Sequence, residues 1–281
     1  MIVVRSARRM QALALGWRRR GRSVGLVPTM GALHEGHLSL FRRARRENDV
    51  VVASVFVNPA QFGPAEDWAR YPRPWARDRR RAAAAGADVL FRPTPAGLYP
   101  PGFQTWVEVE GLAKPLCGPS RPGHFRGVAT VVAKLFQLAL PSRAYFGLKD
   151  YQQYLVVRRM ARDLHFPVRV VPCPTVREPG GLARSSRNDY LSPPERARAR
   201  VLRRALQAAG EVIKSSSVVS STEILRAARA LLRREPGLRV EYLSVADPET
   251  LRPLSRVRGR ALVAAAVRIG RARLIDNVRV G

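Results

Sequence analysis

Cysteine, lysine, histidine and acid are all scarce in this chain, and each scarcity excludes something. Its two cysteines, Cys117 and Cys173, lie far apart and match no metal or dithiol spacing. A zinc ribbon or redox pair is therefore not expected, and a reduced, cytoplasmic setting is the default. No apolar run approaches the roughly 18 residues that mark a membrane span; the longest, 50–57 and 128–140, are too short or carry Lys134. Acidic residues number 21 against 50 basic, a formal charge of +29. Only four of the fifty are lysine (Lys114, Lys134, Lys149 and Lys214), and the remainder are arginines scattered as pairs along helical stretches. No basic block interleaves with aromatics, so a nucleic-acid partner is not expected. The excess should still draw anionic ligands toward a cleft. Neither a G-x-x-x-x-G-K-[ST] loop nor an H-E-x-x-H pair occurs. No Ser/His/Asp set or reactive thiol stands out, so a covalent protein nucleophile is not expected.

What is present is alternation. Apolar, β-branched runs at 24–27, 49–57, 88–91, 144–146 and 168–171 alternate with helical patterns at 6–20, 35–48, 74–85, 125–140 and 150–164. The Arg-rich start reads as an amphipathic first helix, with Met10, Leu13 and Trp17 on one side. Such alternation predicts an α/β fold, a parallel sheet with helices on both faces. Past Pro174 the texture changes. A helix at 195–214, a loop SSSVVSS, a helix near 222–234 and short alternating runs at 239–245 and 260–280 predict a smaller α+β C-terminal domain with an antiparallel sheet. The division is placed at 1–176 and 177–281.

The chemically informative segments all follow predicted strands, where ligands of parallel sheets bind. The first is PTMGALHEGH, residues 28–37. His34 and His37 are three apart and open a helix, whose N-terminus favours anions. Gly31 and Gly36 let backbone approach a bulky ligand. Imidazoles there suit phosphate oxygens; the plain alternative is two surface histidines. In GLKDYQQ, 147–153, Lys149 offers a compact charge to a phosphate, and Asp150 a metal ligand or an orienting partner. A capping Asp beside a solvated Lys is the plain alternative. SSRN, 185–188, follows Gly180 and Gly181, and its hydroxyls and guanidinium suit a phosphate clamp or an ordinary turn. NPAQF, 58–62, supplies Asn58 and Gln61, neutral amides able to bind hydroxyl and carboxylate groups, or a plain turn. Together they point to nucleotide activation by positioning and charge stabilisation.

In order, PTMGALHEGH, FVNPAQF, the YPR within 70–73, RPGHFRG at 121–127, FGLKDYQQ and SSRN resemble the pantoate–β-alanine ligase (pantothenate synthetase) family over nearly the whole chain. The resemblance implies a Rossmann-like, nucleotidyltransferase-type sheet, a smaller C-terminal lid and a homodimer. It implies that ATP activates pantoate as an acyl adenylate, which β-alanine then attacks to give pantothenate and AMP. On the matching positions, Met30, Gly31, His34, Gly36 and His37 border ATP, with His37 as proton donor. Gly147, Lys149, Asp150 and Val176 line the nucleotide site, and Ser185, Ser186 and Arg187 close on the phosphates. Gln61 and Gln153 hold pantoate, and Asn58 supports that pocket. Magnesium comes with the ATP, its ligands unassigned.

Three positions depart from the family pattern: Leu148 and Cys117 stand where acids are usual, and Arg184 where an apolar residue is usual. The phosphate contacts are all present, so an active enzyme is expected. Two other readings stay open, a nucleotidyltransferase of the same superfamily and a basic nucleic-acid-binding protein on a degenerate scaffold.

Overall fold

A computed structural model of the chain describes residues 1–64 and 66–281. The chain divides into two units: 1–113, 120–148 and 153–174 form the first, and 114–119, 149–152 and 175–281 the second.

In the first unit, six strands form one sheet: β1 (Ile2–Val4), β2 (Val24–Thr29), β3 (Val50–Val55), β4 (Val89–Phe91), β5 (Arg143–Gly147) and β6 (Arg169–Cys173). They lie in the order β1-β4-β3-β2-β5-β6, and every pairing is parallel. The central strands β2 and β3 are nearly continuous apolar runs because helices cover both faces of such a sheet. The connections carry α1 (Ala7–Arg19), α2 (Glu35–Glu47), α3 (Trp75–Ala84), α4 (Pro95–Leu98), α5 (Glu110–Ala113), α6 (His124–Ala139) and α7 (Tyr151–Asp163). The Ser6 hydroxyl caps α1 by accepting from Arg9 N–H at 3.3 Å. Its buried residues are Met10, Ala14 and Trp17, so the inward stripe runs one residue past Leu13. Helix α2 buries Leu40, Phe41 and Ala44 against Val27, Val51, Leu90 and Tyr145. Tyr145 is fully buried, and its hydroxyl accepts from Asn48 Nδ2 at 2.7 Å and donates to Glu47 Oε2 at 2.9 Å, as a buried phenol must.

The order of the sheet positions the site. From β2 the chain builds β3 and β4 to one side, then returns to place β5 and β6 on the other. The direction therefore reverses between β2 and β5, which are hydrogen-bonded neighbours. A crevice opens beyond the carboxyl ends of strands at such a reversal. Residues 30–37 leave β2 there, and Gly147 ends β5 there.

The second unit carries α8 (Pro193–Ala199), α9 (Val201–Lys214), β7 (Val219–Ser220), α10 (Ser221–Leu232), β8 (Leu238–Ala246), β9 (Arg256–Val257), β10 (Ala261–Ile269) and β11 (Ala272–Val280). Strands β11-β10-β8 form an antiparallel sheet, and β7 pairs with β9. Its core joins Leu202, Leu206 and Ile213 of α9 to Val263, Ala265 and Val267 of β10. Two sequence expectations are corrected. The single helix at 195–214 is broken at Arg200, whose N–H bonds Ala197 O at 3.3 Å in a tighter turn. The SSSVVSS stretch, 215–221, contains β7 and runs into α10 at Ser221, and Ser220 caps that helix in a reciprocal box with Glu223. Among the described residues no helix is long and apolar enough to cross a membrane.

Candidate active site

The turn leaving β2 is held from behind by α3. Gly31 and Ala32 adopt left-handed backbone, with φ of 86° and 48°. A side chain at Gly31 would press within 3.0 Å of Asp78 Oδ2 and 3.1 Å of Val55 Cγ1, so glycine is required there. Asp78 accepts from the N–H groups of Ala32 and Leu33, each at 2.8 Å, and Arg81 Nη1 donates to Leu33 O at 2.5 Å. One helical turn of α3 thus grips the two residues before His34. Asp78 is buried, and burial pushes its pKa up against the opposing pull of the two amides and of Arg77 and Arg81.

This clamp presents the histidines. His34 is the N-cap of α2, and its ring stacks on His37 with centroids 4.0 Å apart. The main-chain N–H of His34 donates to His37 Nδ1 at 3.3 Å. An amide N–H can only donate, so Nδ1 supplies a lone pair and neutral His37 carries its proton on Nε2. Glu35, the one acid in the first turn of α2, is paired with Arg42.

After β3, a 3-10 turn at Pro59–Gln61 brings further predicted residues together. Asn58 Nδ2 donates to Gln61 Oε1 and to Gly127 O, both at 3.1 Å, and Asn58 Oδ1 accepts from Ala60 N–H at 3.3 Å. Gln61 Nε2 lies 3.1 Å from Met30 Sδ. Met30, Asn58 and Gln61 therefore form one cluster beside the turn. A thioether is a weak acceptor, so a carboxylate or hydroxyl oxygen would be a better partner for that amide. Gln153 lies half-buried on α7. Its neighbour Gln152 is buried structurally, accepting from Cys117 N–H at 3.1 Å and donating to Pro115 O at 2.7 Å.

The remaining predicted residues belong to the second unit, except Gly147. Lys149 Nζ lies 3.1 Å from Asp150 Oδ1, and the Lys149 carbonyl accepts from Asn277 Nδ2 of β11 at 3.0 Å. Ser185 caps the turn Ser186–Tyr190 by accepting from Arg187 N–H at 3.3 Å. Val176 O accepts from Arg184 N–H at 2.9 Å. Buried Asn188 ties the turn to Glu178 Oε1 at 2.9 Å and to Ala183 O at 3.1 Å. Hydrogen bonds from Asn188 and Arg184 and the charge of Arg196 hold Glu178 below the usual carboxylate range, although burial pushes the other way. Arg177 forks onto buried Asp276 at 2.7 and 3.0 Å.

The three departures have partners or a place in the turn. Arg184 is paired with Glu178. Cys117 Sγ sits 3.4 Å from Tyr242 Oη and 3.6 Å from Arg273 Nη2, and that arginine takes its acid from Glu241 at 2.6 Å. Leu148 opens the 3-10 turn Leu148–Asp150. Residue-by-residue reading of the sequence missed Asp78, Arg81, Asp276 and Asn277 as supports. A signal existed for Asp78, the only acid in an otherwise Arg- and Ala-rich helix.

A strand-order reversal at β2 and β5, a paired-histidine helix start beside it and a neutral amide cluster are features that suit an α/β protein to bind an anionic nucleotide. The comparisons agree. The pantoate-beta-alanine ligase family model matches residues 2–279. Pantothenate synthetase of Moorella thermoacetica is 56% identical over 93% of this chain and 92% of its own. That of Thermotoga neapolitana is 49% identical over 100% of both. The crystal structure of the Thermus thermophilus synthetase superposes with a TM-score of 0.92 at 55% identity, covering 99% of each chain. Pantoate-beta-alanine ligase of Francisella tularensis, crystallised with beta-gamma ATP and beta-alanine, gives 0.79 at 33% identity over 99% of this chain and 97% of that one. The chain belongs to the pantoate–β-alanine ligase family.

Proposed function

We propose that this chain condenses pantoate with β-alanine at the expense of ATP, through a pantoyl adenylate. A carboxylate oxygen of pantoate attacks the α-phosphorus, the bond from that phosphorus to the bridging oxygen breaks, and pyrophosphate leaves. The β-alanine amine then attacks the acyl carbon, the C–N bond forms, and AMP departs with its oxygen while the nitrogen loses a proton to solvent. No protein nucleophile is needed. The work of the chain is to position reactants and to meet charge developing on the phosphates.

In this reading His34 and His37 bind the phosphates, and His37 Nε2–H donates to the oxygen that gains charge as pyrophosphate leaves. Met30, Gly31 and Gly36 border the nucleotide, and the Asp78 clamp fixes the distance between that border and the histidines. Gln61 Nε2 exchanges its weak thioether partner for a pantoate oxygen, supported by Asn58, with Gln153 as a second amide. Gly147, Lys149, Asp150 and Val176 serve the nucleotide, and Ser185, Ser186 and Arg187 the phosphates. The observation that carries the reading is the turn after β2, which joins a histidine whose Nδ1 is taken up by a main-chain N–H to the Met30–Gln61–Asn58 cluster.

Magnesium, when bound with ATP, would neutralise part of the triphosphate charge. Among the described residues no three His, Cys, Asp or Glu side chains gather to hold a metal ion. The donors present fit an ion carried mainly by phosphate oxygens and water, with Asp150 the carboxylate the motif offers it. A cytoplasmic homodimer is the proposed assembly. The dimer half of that proposal is supported by the exposed Trp106, stacked on Tyr99 and contacted by Arg126, whose ring offers apolar surface for a second copy. The test of function is AMP release measured with pantoate and β-alanine, each omitted in turn. AMP formation indifferent to pantoate would overturn the proposal.

A further inference from the structure

His124 begins α6 and is 8% exposed, and nothing in the proposed chemistry uses it. Its two ring nitrogens face partners of fixed character. Nδ1 lies 2.7 Å from the main-chain carbonyl of Gln61, and Nε2 lies 2.9 Å from Arg121 Nη1. A carbonyl oxygen can only accept, so Nδ1 bears the proton. A guanidinium can only donate, so Nε2 must supply the lone pair. In the neutral ring these contacts select one tautomer, with both nitrogens engaged. Arg121 is anchored in turn by Glu66, with Nε to Oε1 at 2.9 Å and Nη2 to Oε2 at 2.6 Å. A continuous chain therefore runs Glu66–Arg121–His124–Gln61 O, ending on the backbone of the residue whose side-chain amide faces Met30.

A second contact acts on the same turn. Gly127, three residues further along α6, accepts from Asn58 at its carbonyl, and its Cα lies so close that a Cβ would fall 2.1 Å from Ala60 O. Helix α6 thus fixes the turn Pro59–Gln61 at both ends, through Asn58 and through Gln61.

We propose that His124 is a positioning residue for the pantoate-binding amide of Gln61, acting as a fixed-tautomer bridge from the Glu66–Arg121 ion pair to the Gln61 carbonyl. This rests on the assignment of Gln61 to pantoate. The bridge serves binding of the acid substrate and leaves ATP binding alone. Outer partners of this kind commonly govern affinity by about 10–100-fold when lost.

The test combines kinetics with NMR of the imidazole nitrogens. In the wild-type chain, the His124 signals should show a protonated Nδ1 and an unprotonated Nε2; the opposite tautomer, or a doubly protonated ring at neutral pH, overturns the proposal without any variant. His124→Phe fills the same space with no donor and should raise the pantoate KM by roughly 10-fold or more, with the ATP KM nearly unchanged and the Tm lowered only modestly by the orphaned Gln61 carbonyl. His124→Asn, whose amide can reproduce the Nδ1 donor, should recover most of the loss. Equal rises in both KM values with a lowered Tm would mark His124 as merely structural and overturn the proposal. Gln61→Ala is measured beside them. If it raises the pantoate KM while His124→Phe does not, the bridge fails and the pocket stands. If Gln61→Ala leaves that KM unchanged, the pocket assignment fails and takes the bridge with it.

Discussion

Substituting Gly127 by alanine sets two effects against each other, and their magnitudes decide the outcome. Alanine is the better helix former by about 1 kcal/mol, so propensity alone predicts a stabilised α6. The new methyl carbon, however, would lie 2.1 Å from Ala60 O, 2.4 Å from Ala60 C and 2.7 Å from Gln61 N, all backbone atoms. Opening the shortest contact to an ordinary separation of about 3.5 Å requires a shift of roughly 1.4 Å between α6 and the turn. No rotamer change can supply it. Overpacking costs on the order of 1–3 kcal/mol even where side chains can yield, so the clash should outweigh the propensity gain. A net loss of about 1–2 kcal/mol corresponds to a fall in Tm of roughly 2–8 °C for a chain near this size. The displaced turn carries Asn58 and Gln61, and a misplacement of about 1 Å can cost 10²-fold in rate. Gly127→Ala should therefore unfold earlier in calorimetry and show a raised pantoate KM with near-normal ATP binding. A variant more stable than the wild type with an unchanged pantoate KM would refute the reasoning.

Three further outcomes are expected. Lys149→Ala should slow adenylate formation on the order of 10²–10³-fold, the usual effect of losing one charge-stabilising donor, while circular dichroism stays unchanged. Asp78→Asn should lower the rate by roughly 10–100-fold. Its NH₂ would face one of the two amide donors of Ala32 and Leu33, and kinetics beside a thermal melt would separate this from unfolding. Glu178 in the folded chain titrates below its unfolded value, so its stabilising contribution is complete above the usual carboxylate range. It is lost as pH falls through the lower folded pKa. Hydrogen exchange across residues 175–281 should show local opening on acidification, and Glu178→Gln should reduce that pH dependence while lowering stability at neutral pH.

The α/β class and the histidine turn were legible because they are local. Apolar runs the length of a strand, helices with an inward stripe and a His-x-x-His start all lie within a few residues. β1 was not legible, since its three residues become a strand only by pairing with β4. The break at Arg200 carries no glycine or proline and so leaves no mark. The supports were least visible of all. Asp78 grips residues 45 and 46 positions away, and Asn277 reaches Lys149 across 128. No local pattern encodes side-chain bonds of that span. His124 and Arg121 lie in the RPGHFRG segment, yet only the geometry shows what they hold.

The most direct test of the account is exchange of labelled pyrophosphate into ATP with pantoate present and β-alanine withheld. Reversible formation of an acyl adenylate predicts exchange that requires pantoate, needs no β-alanine and collapses in His37→Ala. Exchange that proceeds without pantoate, or appears only once β-alanine is added, would contradict it.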